Sequence, residues 1–222
     1  MHGYLKHDAS WVEPHPNPQP LGVHGNSMEF NTSNKPAVRE HCGGGLSNNQ
    51  LFVYAGVTMN PSGTGMGDNA DLWVYDIPSN QWAWVTDYGN QPNYSNQGSE
   101  SQSAHPGQRN RMASATDPQG NIWFFGGQHR ENNQDYQRND IWKLNPNTKK
   151  WTWVGGPSNL DDNGNNDWPP YIHIVPWFDN QGTMWMYGGA HDNGGMRRSF
   201  NDLWKYNTNT NQWTQKHALY KR

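Results

Sequence analysis

The chain has 222 residues, 32% hydrophobic and 16% charged, with thirteen Trp, ten Tyr and a mean hydropathy of -1.11. A net charge of -3 gives no global basic field to draw nucleic acid or an anionic membrane, and no apolar run approaches the ~20 residues of a membrane-crossing helix. The single cysteine, Cys42, excludes an internal disulfide framework, and the low hydropathy does not mean disorder, because the aromatics recur periodically and each can bury on the order of 150–250 Å².

Residues 1–20 carry no apolar signal-peptide core. Within residues 1–35, Ser10-Trp11-Val12-Glu13-Pro14 resembles Ala83-Trp84-Val85-Thr86-Asp87 and Thr152-Trp153-Val154-Gly155-Gly156, so it is predicted as a last strand whose three partners are missing, the alternative being an unstructured N-terminal tail. Four strands are predicted in residues 36–86, at Val38–Gly44, Gln50–Gly56, Asp71–Asp76 and Gln81–Val85. A crossing loop, 87–108, leads to a second group in 109–156, with strands at Arg109–Thr116, Asn121–Gly126, Asp140–Leu144 and Lys150–Val154. After a second crossing, 157–170, the third group fills 171–216, with strands at Tyr171–Trp177, Thr183–Gly188, Asp202–Tyr206 and Gln212–Gln215, and residues 217–222 form a tail. Each run is bounded by Gly, Pro, Asn or Asp. Asp71 to Trp82, Asp140 to Trp151 and Asp202 to Trp213 each span 11 residues, which marks an internal repeat. Leu51-Phe52-Val53-Tyr54 and Ile122-Trp123-Phe124-Phe125 lack polar alternation, as strands covered on both faces do.

The repeated phrase resembles the kelch motif. Its marks are a hydrophobic strand ending in Gly126-Gly127 or Gly188-Gly189, then Asn139-Asp140-Ile141-Trp142 or Asn201-Asp202-Leu203-Trp204, then the Trp of a closing strand, Trp82, Trp151 or Trp213. The first repeat departs with Ala55-Gly56 and Ala70-Asp71. The resemblance covers roughly residues 36–216 and implies an all-β fold: a kelch-type β-propeller segment of about three four-stranded blades plus an orphan N-terminal strand. The repeated Gly, Asp and Trp residues are read as structural. Propellers typically close with four to eight blades, so three blades are expected to be a fragment or one partner in an assembly that shares the ring.

Strand alternation sends the short turns to one face of the blades and the long loops, 57–70, 86–108, 128–139, 155–170 and 190–201, to the other. Long loops on a rigid scaffold usually carry recognition, so binding is expected there. The candidates are His129, Arg130, His191, Arg197 and Arg198 in the loops, with Arg39, His41, Arg109 and Arg111 at the starts of inner strands, where arginine forks suit carboxylates. Trp168 and Tyr94 are candidate aromatic anchors or sugar platforms. The expected role is a non-catalytic protein-binding or assembly module, with self-association among the ways of completing the ring. A carbohydrate-binding module is the first alternative. A copper-radical oxidase, which some kelch-like propellers resemble, is the second, with Cys42 beside His41 but no accompanying motif. No cofactor and no metal site is expected, and Asp161–Asp167 looks like a calcium loop without its terminal Glu. The sequons at Asn31 and Asn93 and the low lysine content lean toward an extracellular location.

Overall fold

The computed structural model describes residues 21–59, 65–131, 134–158, 169, 172–193 and 196–217. The orphan strand expected at Trp11 and the calcium-like loop lie outside them. The described residues form an all-β structure of antiparallel sheets, none of them closed on itself.

The first sheet holds β1 (Arg39–Glu40), β2 (Gly43–Ser47), β3 (Gln50–Met59), β4 (Met66–Asp76) and β5 (Gln81–Asp87), with β3 and β4 between the inner pair β1/β2 and the outer β5. The second holds β6 (Glu100–Ser101), β7 (Ala113–Thr116), β8 (Ile122–Phe125), β11 (Ile141–Leu144) and β12 (Trp151–Gly155), with β9 (Gln128–Glu131) and β10 (Gln134–Gln137) as a separate hairpin. The third holds β13 (Ile172–Phe178), β14 (Met184–Asn193), β15 (Met196–Ser199), β16 (Leu203–Asn207) and β17 (Gln212–His217). The expected inner-to-outer order recurs in all three sheets, with additions the sequence did not announce. The inner strand of the first sheet breaks at His41, whose φ is +56°. The segment before each of the first two sheets folds back along the outer strand. Met28 N donates to Trp84 O at 2.7 Å, Gly98 N donates to Trp153 O at 2.8 Å, and β6 pairs with β12. These contacts occupy strand edges that would otherwise be open to pairing.

Short polar turns close the first hairpins. Asp117 Oδ1 accepts the backbone N–H groups of Gln119 and Asn121 at 3.0 and 2.8 Å, and Asp179 Oδ1 accepts those of Gln181 and Thr183 at 3.0 and 2.9 Å. The second carboxylate oxygen of each takes an indole N–H, from Trp123 at 2.8 Å and from Trp185 at 2.9 Å. One aspartate thereby fixes both the turn and the rotamer of an interfacial tryptophan.

The long second-to-third connections are not loops where they are described. β3 and β4 continue past the bend, pairing Val57 with Asp68 and Thr58 with Gly67, and β9/β10 and β14/β15 are the matching arms. The cause lies in the residue pair ending each hydrophobic strand. Ala55-Gly56 has φ of +58° and +98°, Gly126-Gly127 has +64° and +94°, and Gly188-Gly189 has +74° and +96°. Two successive left-handed residues re-aim the strand instead of terminating it.

Packing runs from sheet to sheet. Phe52, Tyr54, Leu72 and Val74 of the first meet Ile122, Phe124, Trp142, Leu144 and Trp151 of the second. Trp123, Phe125, Ile141 and Val154 of the second meet Ile174, Met184, Met186, Trp204 and Tyr206 of the third. β8 is buried at all four positions because alternate residues face different neighbours, as its unbroken apolar run implied. Gly127 tests this geometry. A Cβ there would lie 2.7 Å from Asn110 O on a backbone at φ +94°, so Gly127→Ala is expected to cost about 2–4 kcal/mol in urea denaturation from left-handed strain and overpacking combined.

Candidate functional site

Arg39 and Arg109, expected as ligand-binding forks, lie in the interior. Arg109 is 1% exposed. Its two terminal nitrogens donate to Asp140 Oδ1 and Oδ2 at 2.7 and 3.2 Å, and it also donates to the carbonyls of Gly126, at 3.1 Å, and Pro106. Asp140 also accepts the Trp142 indole at 2.7 Å and the Tyr94 hydroxyl at 2.8 Å. Arg39 repeats the motif on Asp71 at 2.7 and 2.8 Å, with the Trp73 indole at 2.7 Å and the Ala55 carbonyl at 3.1 Å. The physical reason for this correction is the left-handed residue two positions on, His41 or Arg111, with φ of +56° and +55°. It breaks the inner strand, and the arginine before it reaches into its own sheet. In the third sheet Asp202 is 4% exposed beside Trp204, and the sequence puts Tyr171, outside the described residues, at the arginine position.

Burial opposes charge on Asp140, but the Arg109 guanidinium and the arginine and indole hydrogen bonds outweigh it and hold the carboxyl below its ordinary 3.8. Burial equally opposes charge on Arg109, and Asp140 outweighs it, so the guanidinium titrates above its usual range.

His41 and Arg111 do meet other candidates. With Glu40, Asp68, Asn110, Gln128, Arg130 and Asp135 they line a cleft of about 280 Å³ between the first and second sheets, beside the hairpin arms. Asp68 ties its walls, accepting Asn110 Nδ2 at 2.6 Å and the Arg130 backbone N–H at 2.5 Å. Burial raises its carboxyl pKa, against the pull of those two donors. Arg111 N donates to His41 O at 3.0 Å, and the His41 ring stands edge-on to His173, 6.5 Å away, on the third sheet. Arg130 faces Asp135 across 3.8 Å, with both side chains at least half exposed. Such alternating charges suit a polar, zwitterionic surface rather than a fork for one anion. Among the described residues, no group of three or more His, Cys, Asp or Glu is placed to hold a metal ion.

The remaining candidates scatter. His129 is fully buried and stacks on Tyr136 with ring centroids 5.2 Å apart. His191 tilts against Phe200 at 4.9 Å, and exposed Arg198 pairs with it across the β14/β15 arm. Trp168 and the Arg197 side chain lie outside the described structure. Tyr94 is not a free platform: its ring sits 5.3 Å from Trp142 and 5.1 Å from Trp153, and burial drives its hydroxyl pKa well up. The sequence reading missed His24, which takes the corresponding place in the first sheet, 5.2 Å from both Trp73 and Trp84. It also missed the apolar stripe on the third sheet formed by Val175, Trp177 and Tyr187, 61%, 41% and 50% exposed. Aligning the three repeats position by position was the signal for the stripe, whereas His24 precedes the first repeat.

No protein-family model matches the chain. No helix among the described residues is long and apolar enough to cross a membrane.

Removing the carboxylate strands a buried guanidinium. Asp140→Ala is therefore expected to lose about 3–5 kcal/mol in urea denaturation, while Arg130→Ala stays within about 0.5 kcal/mol. The pH dependence has a definite sign. The folded pKa of Asp140 is depressed below 3.8, so its stabilisation is complete above the unfolded value and is lost as pH falls through the folded one. Stability measured between pH 2 and 5 should fall steeply in the wild type and less steeply in Asp140→Asn.

Proposed function

We propose that the chain is a segment of a kelch-type β-propeller that serves as a non-catalytic binding or assembly module. Three sheets in one inner-to-outer order, the repeated left-handed pair and the repeated buried Asp–Trp support the propeller reading. The observation that carries the function is the open apolar face of the third sheet. Val175 and Tyr187 are register partners there, as Ala113 and Phe125 are in the second sheet and Gly43 and Tyr54 in the first. The next sheet covers Phe125 and Tyr54 almost completely, whereas Tyr187 is half exposed. The opposite end, on the first sheet, exposes Leu46 and Leu51. A surface with the make-up of a sheet-to-sheet interface gains about 25 cal/mol for each Å² of apolar area covered. The partner is accordingly a protein surface, held by the end faces, with the mixed-charge cleft and hairpin arms at its rim.

Sedimentation velocity across a concentration series tests this, comparing wild type with Val175→Asp/Tyr187→Asp. The reading expects the wild type to associate and the variant, folded by circular dichroism, to remain monomeric. A wild type that stays a soluble monomer, unchanged by the charges, would contradict it.

A further inference from the structure

At the two internal interfaces, one inner-strand residue of each sheet points at a pair on the next. Gly43 meets Met112 and Phe124 so closely that a Cβ would lie 2.9 Å from both side chains. One sheet on, Ala113 shares a core cluster with Ile174 and Met186. On the open face of the third sheet the same position is Val175. The open face of the first sheet offers, at the positions of the receiving pair, exposed Cys42 and half-buried Val53. The pointing residue grows from Gly to Ala to Val. The receiving pair shrinks from Met and Phe, through Ile and Met, to Cys and Val. Close-packed interiors require this compensation, and setting Val175 against a pair as large as Met and Phe would overpack the contact.

We infer that the open face of the third sheet binds the open face of the first sheet on a second copy of this chain, head to tail. This rests on the assembly reading above and names its partner. Each open face already carries the furniture of an internal interface. Lys205 lies over the Trp185 ring at 5.6 Å, as Lys143 lies over Trp123 at 5.6 Å between the second and third sheets. His24 wedges over Trp73 and Trp84 as Tyr94 wedges over Trp142 and Trp153. A head-to-tail contact forms a closed ring when its rotation permits and an open filament when it does not. The described residues of two copies pool six five-stranded sheets, within the four to eight that close a propeller, whereas those of three copies would pool nine.

Cys42 is the only cysteine, so a forced inter-chain cross-link tests the assignment. Wild-type chain is mixed with a mass-tagged Cys42→Ser/Val175→Cys chain and treated with dibromobimane, a short thiol-to-thiol reagent. The expected result is a covalent hetero-dimer joined at Cys42 and position 175, formed at micromolar concentration and absent when the Cys42→Ser change is present in both chains. Val175→Phe should weaken association at least tenfold, while Cys42→Met with Val175→Gly, which trades bulk from the pointing residue to the receiving pair as at the first interface, should keep it. Association that survives Val175→Phe and gives no such cross-link would overturn the pairing of these two faces and leave the assembly reading standing. A chain that stays monomeric at high concentration would overturn both.

Discussion

A carboxylate enclosed among tryptophans has no water to stabilise it, and the structure depends on how Asp140 is satisfied. The guanidinium of Arg109, the indole of Trp142 and the hydroxyl of Tyr94 approach it from three directions. Each donor belongs to a different part of its sheet: the run into the inner strand, the third strand, and the segment that folds back from the preceding sheet. One anion thus ties together elements that share few backbone hydrogen bonds. Arg109 also reaches the Gly126 carbonyl, anchoring the bend from which the hairpin arm departs. Asp71 and Arg39 repeat the arrangement in the first sheet. Buried ion pairs are weak sources of net stability but strong enforcers of geometry, because the unpaired alternatives are so costly. That accounts for a polar cluster at the centre of each of these two sheets.

The second constraint is that a sheet apolar on both faces must be covered on both. The middle sheet meets it through its two neighbours, and alternate residues of β8 divide between them. Among the described residues the outer sheets meet it fully on one side only, with His24 over Trp73 and Trp84 covering part of the first sheet's outer face. The functional reading therefore follows from the packing rule and not from any catalytic arrangement: the same alternation that builds the interior leaves Val175, Trp177 and Tyr187 on one end and Leu46 and Leu51 on the other. Large exposed apolar patches mark interaction sites far more often than idle surface.

The strand pattern was legible because its signals are local: turn residues at fixed offsets, an invariant Asp-to-Trp spacing, and apolar runs too continuous for a half-exposed strand. The arginines were misread because the kink that turns Arg39 and Arg109 inward falls at His41 and Arg111, and neither side chain announces a left-handed backbone as glycine would. The hairpin arms were read as loops for the opposite reason. Gly126-Gly127 looks like a strand end, and only the pairing beyond it shows a bend. His129 looked like a loop residue and is core, since the arm that carries it folds back over Tyr136. The cleft at Asp68 depends on contacts between residues 42 and 62 positions apart, which no window of sequence reveals.

Native mass spectrometry of the 222-residue chain is the most direct test of the account as a whole, because a ring closed by two copies has a stoichiometry that an open stack lacks. One assembly at twice the 25.4 kDa chain mass is expected, with no growth to three or four copies as concentration rises. A ladder of ever larger species would show that the end faces meet without closing. A single species at 25.4 kDa under every condition would show that they do not meet at all.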